Sequence, residues 1–196
     1  MNWIVVAYYC GHSIYEESSK RLIQSMDKFN IPYNVEKIPS RGDWYANTHQ
    51  KPTFIKQMME KHNPLSIAYV DIDAEFVAYP SLFDRLANER SVNIAVHTLD
   101  HSKRRRRTHP PEMLSGTIFM NNTPEMYTIV EEWIKECHTD PKLWDQHALH
   151  TVLKHHGYDN LPDGYCKIFD YMADVRDPVI IHHQASRVAK RVGTFK

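Results

Sequence analysis

The chain has 196 residues, and its 24 basic and 24 acidic side chains give a formal net charge of zero. This balance gives no argument from overall charge for binding to nucleic acid or to a membrane surface, and no apolar run approaches the ~20 residues of a membrane-spanning helix. With 42% hydrophobic residues, the chain is long enough to bury the core of one globular domain.

The cysteines and the N-terminus predict the compartment. Cys10, Cys137 and Cys166 are an odd number without the spacing of a metal site, which is typical of a reducing setting. The first residues form a short apolar run without the basic segment of a signal peptide. We therefore expect a cytoplasmic protein that begins with a strand.

The first half of the chain alternates between the strand and helix periods of hydrophobicity. Residues 3–9 form an apolar run typical of a central strand, and residues 15–29 carry apolar side chains at helical spacing. The pattern then predicts a strand at 33–38, a polar loop at 39–50, a helix at 51–62 that Asn63-Pro64 ends, and a buried strand at 65–70.

The second half has shorter elements. Thr123 followed by Pro124 predicts a helix that runs to Cys137. The pattern also predicts a helix at 80–88, a strand at 92–97, a polar loop at 100–113, a strand at 115–121, a helix at 141–156, short strands at 161–162 and 166–169, and a final strand at 178–182. The alternation, without repeats or linkers, predicts an α/β fold in a single domain over residues 1–196.

Two carboxylates follow the buried strand, in the sequence Asp71-Ile72-Asp73. Residues i and i+2 of an extended chain point to one side, so both carboxylates face the same way while Ile72 faces the core. Like charges side by side are unfavourable unless a cation or strong donors lie between them. The pair is therefore either a Mg²⁺, Mn²⁺ or Ca²⁺ site or a polar strand end whose aspartate caps the next turn.

Further candidates lie at other strand and helix ends. His182-His183 ends the last predicted strand, where an imidazole could complete a Mn²⁺ site or be a core histidine. Ser186-Arg187 follows, as a diphosphate clamp or as part of a solvated basic tail. Asp145-Gln146 opens a helix, where Asp145 either caps the helix or faces the reacting centre. Ser115-Gly116 lets the backbone approach a ligand, or simply begins a strand.

A run of five cations, Lys103 to Arg107, lies in the predicted polar loop. Such a run is either a solvated loop or a surface that binds phosphates by charge without reading bases. There is no Gly-rich phosphate loop of the G-x-G-x-x-G or G-x-x-x-x-G-K type in the chain.

Together these motifs resemble the GT-A glycosyltransferases. The resemblance covers nearly the whole chain, is close to the small nucleotide-diphospho-sugar transferases of bacteria and phages, and is similar in layout to the glycogenin-like family 8. It rests on five segments in order: Lys51 to Ile55, Tyr69 to Ala74, Leu114 to Asn121, Trp144 to Gln146, and Ile181 to Arg187. The glycine-lysine-proline-tryptophan ending of family 8 is absent, and Ser186-Arg187 stands in its place.

The resemblance implies a Rossmann-like mixed central sheet flanked by helices, and a role for each candidate residue. Asp71 and Asp73 would bind Mn²⁺ or Mg²⁺ and the donor diphosphate, with His182 as a further metal ligand. Asp145 and Gln146 would lie beside the donor sugar as catalytic residues. The remaining donor-binding residues would be Tyr8, Tyr9 and Cys10 at the base, and Lys51, Ile72, Ser115, Gly116, Ser186 and Arg187 along the sugar diphosphate.

These roles predict a metal-dependent glycosyltransferase that moves a sugar from a nucleotide-diphosphate donor to an acceptor hydroxyl. If the reaction inverts the anomeric carbon, Asp145 would be the base; if it retains it, Asp145-Gln146 would steady an oxocarbenium-like centre. The run Lys103 to Arg107 suggests a polyanionic acceptor, such as DNA with a modified base. The alternatives are a nucleotidyltransferase or other Mg/Mn-dependent phosphoryl-transfer enzyme, and a non-catalytic nucleotide-sugar binding module.

Overall fold

The computed structural model describes residues 1–11, 13–89, 92–102 and 108–185. Within them the strands are β1 (Trp3–Cys10), β2 (Tyr33–Ile38), β3 (Ser66–Val70), β4 (Ala74–Phe76), β5 (Ile94–Leu99), β6 (Glu112–Met120), β7 (Asp159–Asn160), β8 (Lys167–Ile168) and β9 (Ile180–His182). The α-helices are α1 (Ser13–Lys28), α2 (Trp44–Thr48), α3 (Gln50–His62), α4 (Ser81–Glu89), α5 (Pro124–Cys137) and α6 (Asp145–His156). None of the helices in the described ranges is long and apolar enough to cross a membrane.

The central sheet is mixed, with the strand order β2-β1-β3-β6-β5-β7. β1 runs parallel to β2 and β3, whereas β6 is antiparallel to β3, with Thr117 opposite Val70. The first half of β6 therefore lies beside the carboxyl end of β3. This register brings the ends of β1 and β3 and the Ser115-Gly116 segment to one edge of the sheet.

A smaller sheet, ordered β4-β9-β8, stands next to this edge. β4 follows Asp73 directly and pairs antiparallel with β9, with Ala74 opposite His182. The pairing explains how a histidine more than 100 residues further along the chain comes to lie beside the aspartates.

Helices cover both faces of the central sheet. Alternate residues of β1 face opposite sides, so Ile4 and Val6 pack in one core with α3, α5 and α6. Trp3 and Val5 pack in a second core with α1 and α4. Burial on both faces gives a central strand a continuous apolar run, which is the pattern that predicted β1.

The structure confirms the predicted α/β class, with a mixed central sheet flanked by helices in a single domain. The loop predicted at 39–50 is wrong in part, because Asp43 accepts a hydrogen bond from the Ala46 amide and caps the short α2. β6 begins at Glu112, three residues before the predicted start. The strand predicted at 161–162 is wrong by two residues, since Asp159 and Asn160 are the residues that pair with β5.

Candidate active site

A pocket of about 240 Å³ opens at the edge where β1 and β3 end. Ten residues predicted for the site line it, namely Tyr8, Tyr9, Cys10, Lys51, Asp71, Ile72, Asp73, Ser115, Asp145 and Gln146. Six further lining residues were not assigned a role from the sequence, namely Tyr15, Trp44, Asn47, Thr48, Tyr69 and Trp144. Ser186, Arg187 and the run Lys103 to Arg107 lie outside the described residues.

Lys51 lies at the centre of the pocket floor. Its side chain is 6% exposed, and its ammonium nitrogen is 2.7 Å from Asp145 Oδ2 and 3.2 Å from Asp71 Oδ1. It also donates to Ser115 Oγ at 3.0 Å. Burial alone lowers the pKa of Lys51, but Asp145 and Asp71 outweigh burial and the pKa is raised. The ammonium group therefore stays charged and holds the two carboxylates together.

Asp71 and Asp73 have different environments. The Oδ1 atom of Asp71 accepts the Tyr69 hydroxyl at 3.0 Å as well as the Lys51 contact, and partial burial raises the Asp71 pKa. Asp73 Oδ2 accepts the Ala185 backbone amide at 2.8 Å, and Asp73 Oδ1 is 3.4 Å from His182 Nδ1. Burial would raise the pKa of Asp73, but the hydrogen bond to His182 outweighs burial and lowers it.

His182, and not its neighbour His183, faces the aspartates. The His182 ring is buried, and its Nε2 atom is 2.8 Å from the Thr117 hydroxyl. Burial lowers the pKa of His182, but Cys166 and the contact with Asp73 raise it to about 10. His183 instead contacts Glu75 at 2.7 Å, away from the pocket.

Gly116 makes room for this cluster. A Cβ atom on Gly116 would lie 3.2 Å from His182 Cε1, 3.4 Å from His182 Nδ1 and 3.4 Å from Asp71 Oδ2. Gly116, predicted as a donor-binding residue, therefore packs against the predicted metal ligands and is not among the residues that line the pocket.

The side chains of Asp71, Asp73 and His182 have ligand atoms that fit a divalent cation. Two carboxylates suit Mg²⁺ or Mn²⁺, and an imidazole whose second nitrogen is held by a hydroxyl has the outer-shell support usual for a ligating histidine. In the described parts of the chain, no three His, Cys, Asp or Glu side chains are already grouped as a metal site.

Asp145 and Gln146 form the opposite wall, at the first turn of α6. The Asp145 carbonyl accepts the Trp133 indole N–H at 2.8 Å, and its carboxylate accepts the Ser115 hydroxyl at 3.0 Å. Gln146 accepts the Ser115 amide at 3.3 Å and donates to Glu112 at 2.8 Å. These contacts fix both side chains toward the pocket, and the helix N-terminus favours the negative charge of Asp145.

The end of β1 forms the remaining wall. The Tyr8 hydroxyl donates to the Asn47 carbonyl at 2.8 Å, and burial together with Asp145 raises the pKa of Tyr8 well above its usual value. Burial raises the pKa of the Cys10 thiol, so it lines the pocket as a neutral group. Burial, Asp73 and Asp71 raise the pKa of Tyr15 to about 12, so Tyr15 is a neutral phenol near the aspartates.

The sequence contained a signal for only some of the missed residues. Tyr69 stands two residues before Asp71 on one strand, so the period of two places both side chains on one side. Tyr15, Trp44 and Asn47 come from α1 and α2, which only the tertiary fold brings to the strand ends.

Comparisons with known proteins agree with this geometry. Residues 15–185 match the family described as nucleotide-diphospho-sugar transferase. No curated protein matches the chain.

Several solved structures share the fold at low sequence identity. A glycosyltransferase involved in the glycosylation of the major capsid of PBCV-1 is 14% identical, with a TM-score of 0.72 over 97% of this chain and 99% of that one. Mouse xyloside xylosyltransferase 1 is 10% identical, with a TM-score of 0.60 over 95% of this chain and 99% of that one. GlyE of Streptococcus pneumoniae is 15% identical, with a TM-score of 0.61 over 93% of this chain and 55% of that one.

These structures are similar to the chain in fold, which confirms the predicted resemblance to the GT-A glycosyltransferases. The family match covers most of the chain and is independent of any single neighbour. The chain therefore belongs to the nucleotide-diphospho-sugar transferase family, and it is a glycosyltransferase.

Proposed function

We propose that this glycosyltransferase uses a divalent cation to transfer a sugar from a nucleotide-diphosphate donor to an acceptor hydroxyl. The observation that carries the proposal is the meeting of three carboxylates at one pocket. Asp71, Asp73 and Asp145 line the pocket, Lys51 contacts Asp71 and Asp145, and His182 contacts Asp73. A donor could thus have its diphosphate beside Asp71 and Asp73 and its sugar beside Asp145.

Asp71, Asp73 and His182 would hold Mn²⁺ or Mg²⁺ beside the donor diphosphate. A bound ion of this kind neutralises the charge that builds up on a departing nucleoside diphosphate. The protein supplies the ligands, the Thr117 hydroxyl that orients the His182 ring, and the space that Gly116 leaves free.

Asp145 stabilises positive charge near the anomeric carbon in this proposal. Its Oδ2 atom is contacted by Lys51 and accepts a hydrogen bond from the Ser115 hydroxyl. An electrostatic role for Asp145 uses these contacts as they stand. The general-base role that an inverting reaction would require has to break one of them or use the other carboxylate oxygen.

Tyr8, Tyr9 and Cys10 form the apolar wall on which the nucleoside of the donor would lie, with Ile72 beneath the diphosphate. Two classes of acceptor are considered, a polyanion and a saccharide. A polyanion such as DNA is supported by the sequence of Lys103 to Arg107 alone, whereas a saccharide is supported by the described residues of the pocket.

A thermal-shift screen of nucleotide sugars with and without Mn²⁺ tests the proposed function. A ligand that binds only the native state at about 100 times its Kd raises the melting temperature of a protein of this size by roughly 5–10 °C. We expect such a rise with at least one nucleotide sugar in Mn²⁺, and its loss in EDTA and in Asp73→Asn. No shift with any donor would refute the proposal, and an equal shift in EDTA would refute its metal dependence.

A further inference from the structure

Two tryptophans border the pocket and have no part in the proposed chemistry. Trp44 begins α2, Trp144 immediately precedes α6, and both line the cavity. Their rings meet edge to face, with centroids 5.6 Å apart and planes at 76°. We propose that Trp44 and Trp144 form a stacking subsite for a pyranose ring of a saccharide acceptor. The inference rests on the proposed function, since it assigns the acceptor class of the same pocket.

Trp144 is the most exposed of the four tryptophans. Trp144 is 43% exposed, whereas Trp3 and Trp133 are 0% exposed in the two cores. Leaving a large aromatic side chain in water forgoes free energy that its burial would supply. Aromatic side chains at the rim of a cavity are typical ligand contacts, so the exposed indole indicates a surface that a ligand covers.

The tryptophan pair is held in place before any ligand arrives. The Trp144 ring stacks on the His147 ring, with centroids 5.4 Å apart and planes at 8°. The backbone carbonyl of Trp144 accepts hydrogen bonds from the backbone amides of His147 and Ala148. The His49 ring contacts the Leu143 carbonyl, which ties the α2–α3 junction to the segment before Trp144. A fixed platform loses little conformational entropy on binding.

The position of the pair matches an acceptor sugar. Trp144 is the residue before Asp145, so a ring stacked on it lies next to the wall where the donor sugar would react. A pyranose has an apolar C–H face that packs against an indole and hydroxyl groups at its edge. One of those hydroxyls would then point toward Asp145 and Gln146, where the glycosidic bond is to form.

The charge of the pocket favours a neutral acceptor over a nucleic acid. Among the described residues that line it, Lys51 is the only cation, and its ammonium group contacts Asp71, Asp145 and Ser115. Binding of single strands combines stacking with a positively charged groove along the backbone. The described lining residues supply no such groove around the two tryptophans, whereas a saccharide does not need one.

Intrinsic fluorescence and acceptor kinetics test the subsite on the full chain. Wild-type protein with nucleoside diphosphate and Mn²⁺ is titrated with a panel of methyl α- and β-pyranosides and, separately, with a short oligo-dT. Trp3 and Trp133 are buried in the cores, but Trp133 also contacts the Asp145 carbonyl. A saturable change in emission that is lost in Trp144→Ala therefore reports on the tryptophan pair. We expect at least one glycoside to give such a change and oligo-dT to give none.

Substitutions of Trp144 then test whether an aromatic ring at this position is needed for acceptor binding. For the best glycoside, Trp144→Ala should raise the acceptor KM by about 10- to 100-fold, as expected for the loss of one large apolar contact, with a much smaller effect on the donor KM. Trp144→Phe should recover most of this loss. Tyr33→Ala, which removes an exposed aromatic ring of β2 outside the pocket, is the matched control and should leave transfer unchanged.

Two results would overturn the subsite while leaving the proposed function intact. One is a fluorescence change with oligo-dT and none with any glycoside. The other is an acceptor KM that Trp144→Ala and Trp44→Ala leave unaltered, in variants whose melting temperatures match wild type. Failure of wild type to bind or cleave any nucleotide sugar would instead overturn the proposed function, and this inference with it.

Discussion

At the scale of single residues, the site depends on one buried cation between two carboxylates. Lys51 contacts Asp71 and Asp145 from the floor of the pocket. Removing one partner of a buried ion pair leaves uncompensated charge, which costs far more than losing a surface pair. Lys51 is therefore expected to stabilise the fold as well as the geometry of the site.

Replacing Lys51 with methionine should destabilise the protein by about 3 kcal/mol, since it leaves two neighbouring carboxylates without their cation. Chemical denaturation monitored by far-UV circular dichroism measures the change. Lys56→Met is the matched control on the same helix, because Lys56 pairs with Glu131 at the surface, and it should barely move the midpoint. Equal effects of the two substitutions would show that the buried Lys51 contacts stabilise the protein no more than a surface ion pair does.

The neighbouring histidines offer a second comparison of single residues. His182→Ala should weaken Mn²⁺-dependent donor binding by about tenfold or more, as is usual for loss of a metal ligand or its support. His183→Ala removes the contacts with Glu75 and with the Phe169 ring and should have little effect. Calorimetric titration of the donor in Mn²⁺ measures both. A larger loss in His183→Ala would contradict the assignment of His182 as the ligand.

At the scale of elements, the first turn of α6 is positioned by α5. The Trp133 indole N–H donates to the Asp145 carbonyl at 2.8 Å from within the core. Asp145 sits on a helix end rather than on a strand, so its distance from the metal wall depends on how α5 and α6 pack. The site is thus assembled from a sheet edge and a helix end that are far apart in sequence.

Trp133→Phe should lower both stability and kcat. The substitution keeps an aromatic ring but removes the indole hydrogen bond to the Asp145 carbonyl, which costs about 1 kcal/mol, and it loosens the turn that carries Asp145. Trp3→Phe is the matched control in the other core, because its indole N–H donates to Asp84 at 2.7 Å. We expect a similar loss of stability in Trp3→Phe and a kcat close to wild type. A kcat that falls equally in both variants would contradict the positioning role of Trp133.

At the scale of the whole molecule, the sequence predicted what depends on local pattern. Apolar runs predicted β1 and β3, the Thr123-Pro124 pair predicted the start of α5, and the order of the motifs predicted the fold. The contacts that needed the tertiary structure were different in kind. Three contacts join segments far apart in the chain, and no local spacing encodes them: Lys51 with Asp145, His182 with Asp73, and Trp44 with Trp144.

Identifying which bond of the donor is cut tests the proposed function most directly. The protein is incubated with Mn²⁺ and the nucleotide sugar that gives the largest thermal shift. The products are separated by chromatography and identified by mass spectrometry. Glycosyl transfer breaks the bond between the anomeric carbon and the diphosphate, so we predict nucleoside diphosphate together with a glycosylated acceptor or free sugar. Nucleoside monophosphate together with sugar phosphate would mean that the pyrophosphate bond is cut, and it would contradict the proposed glycosyl transfer.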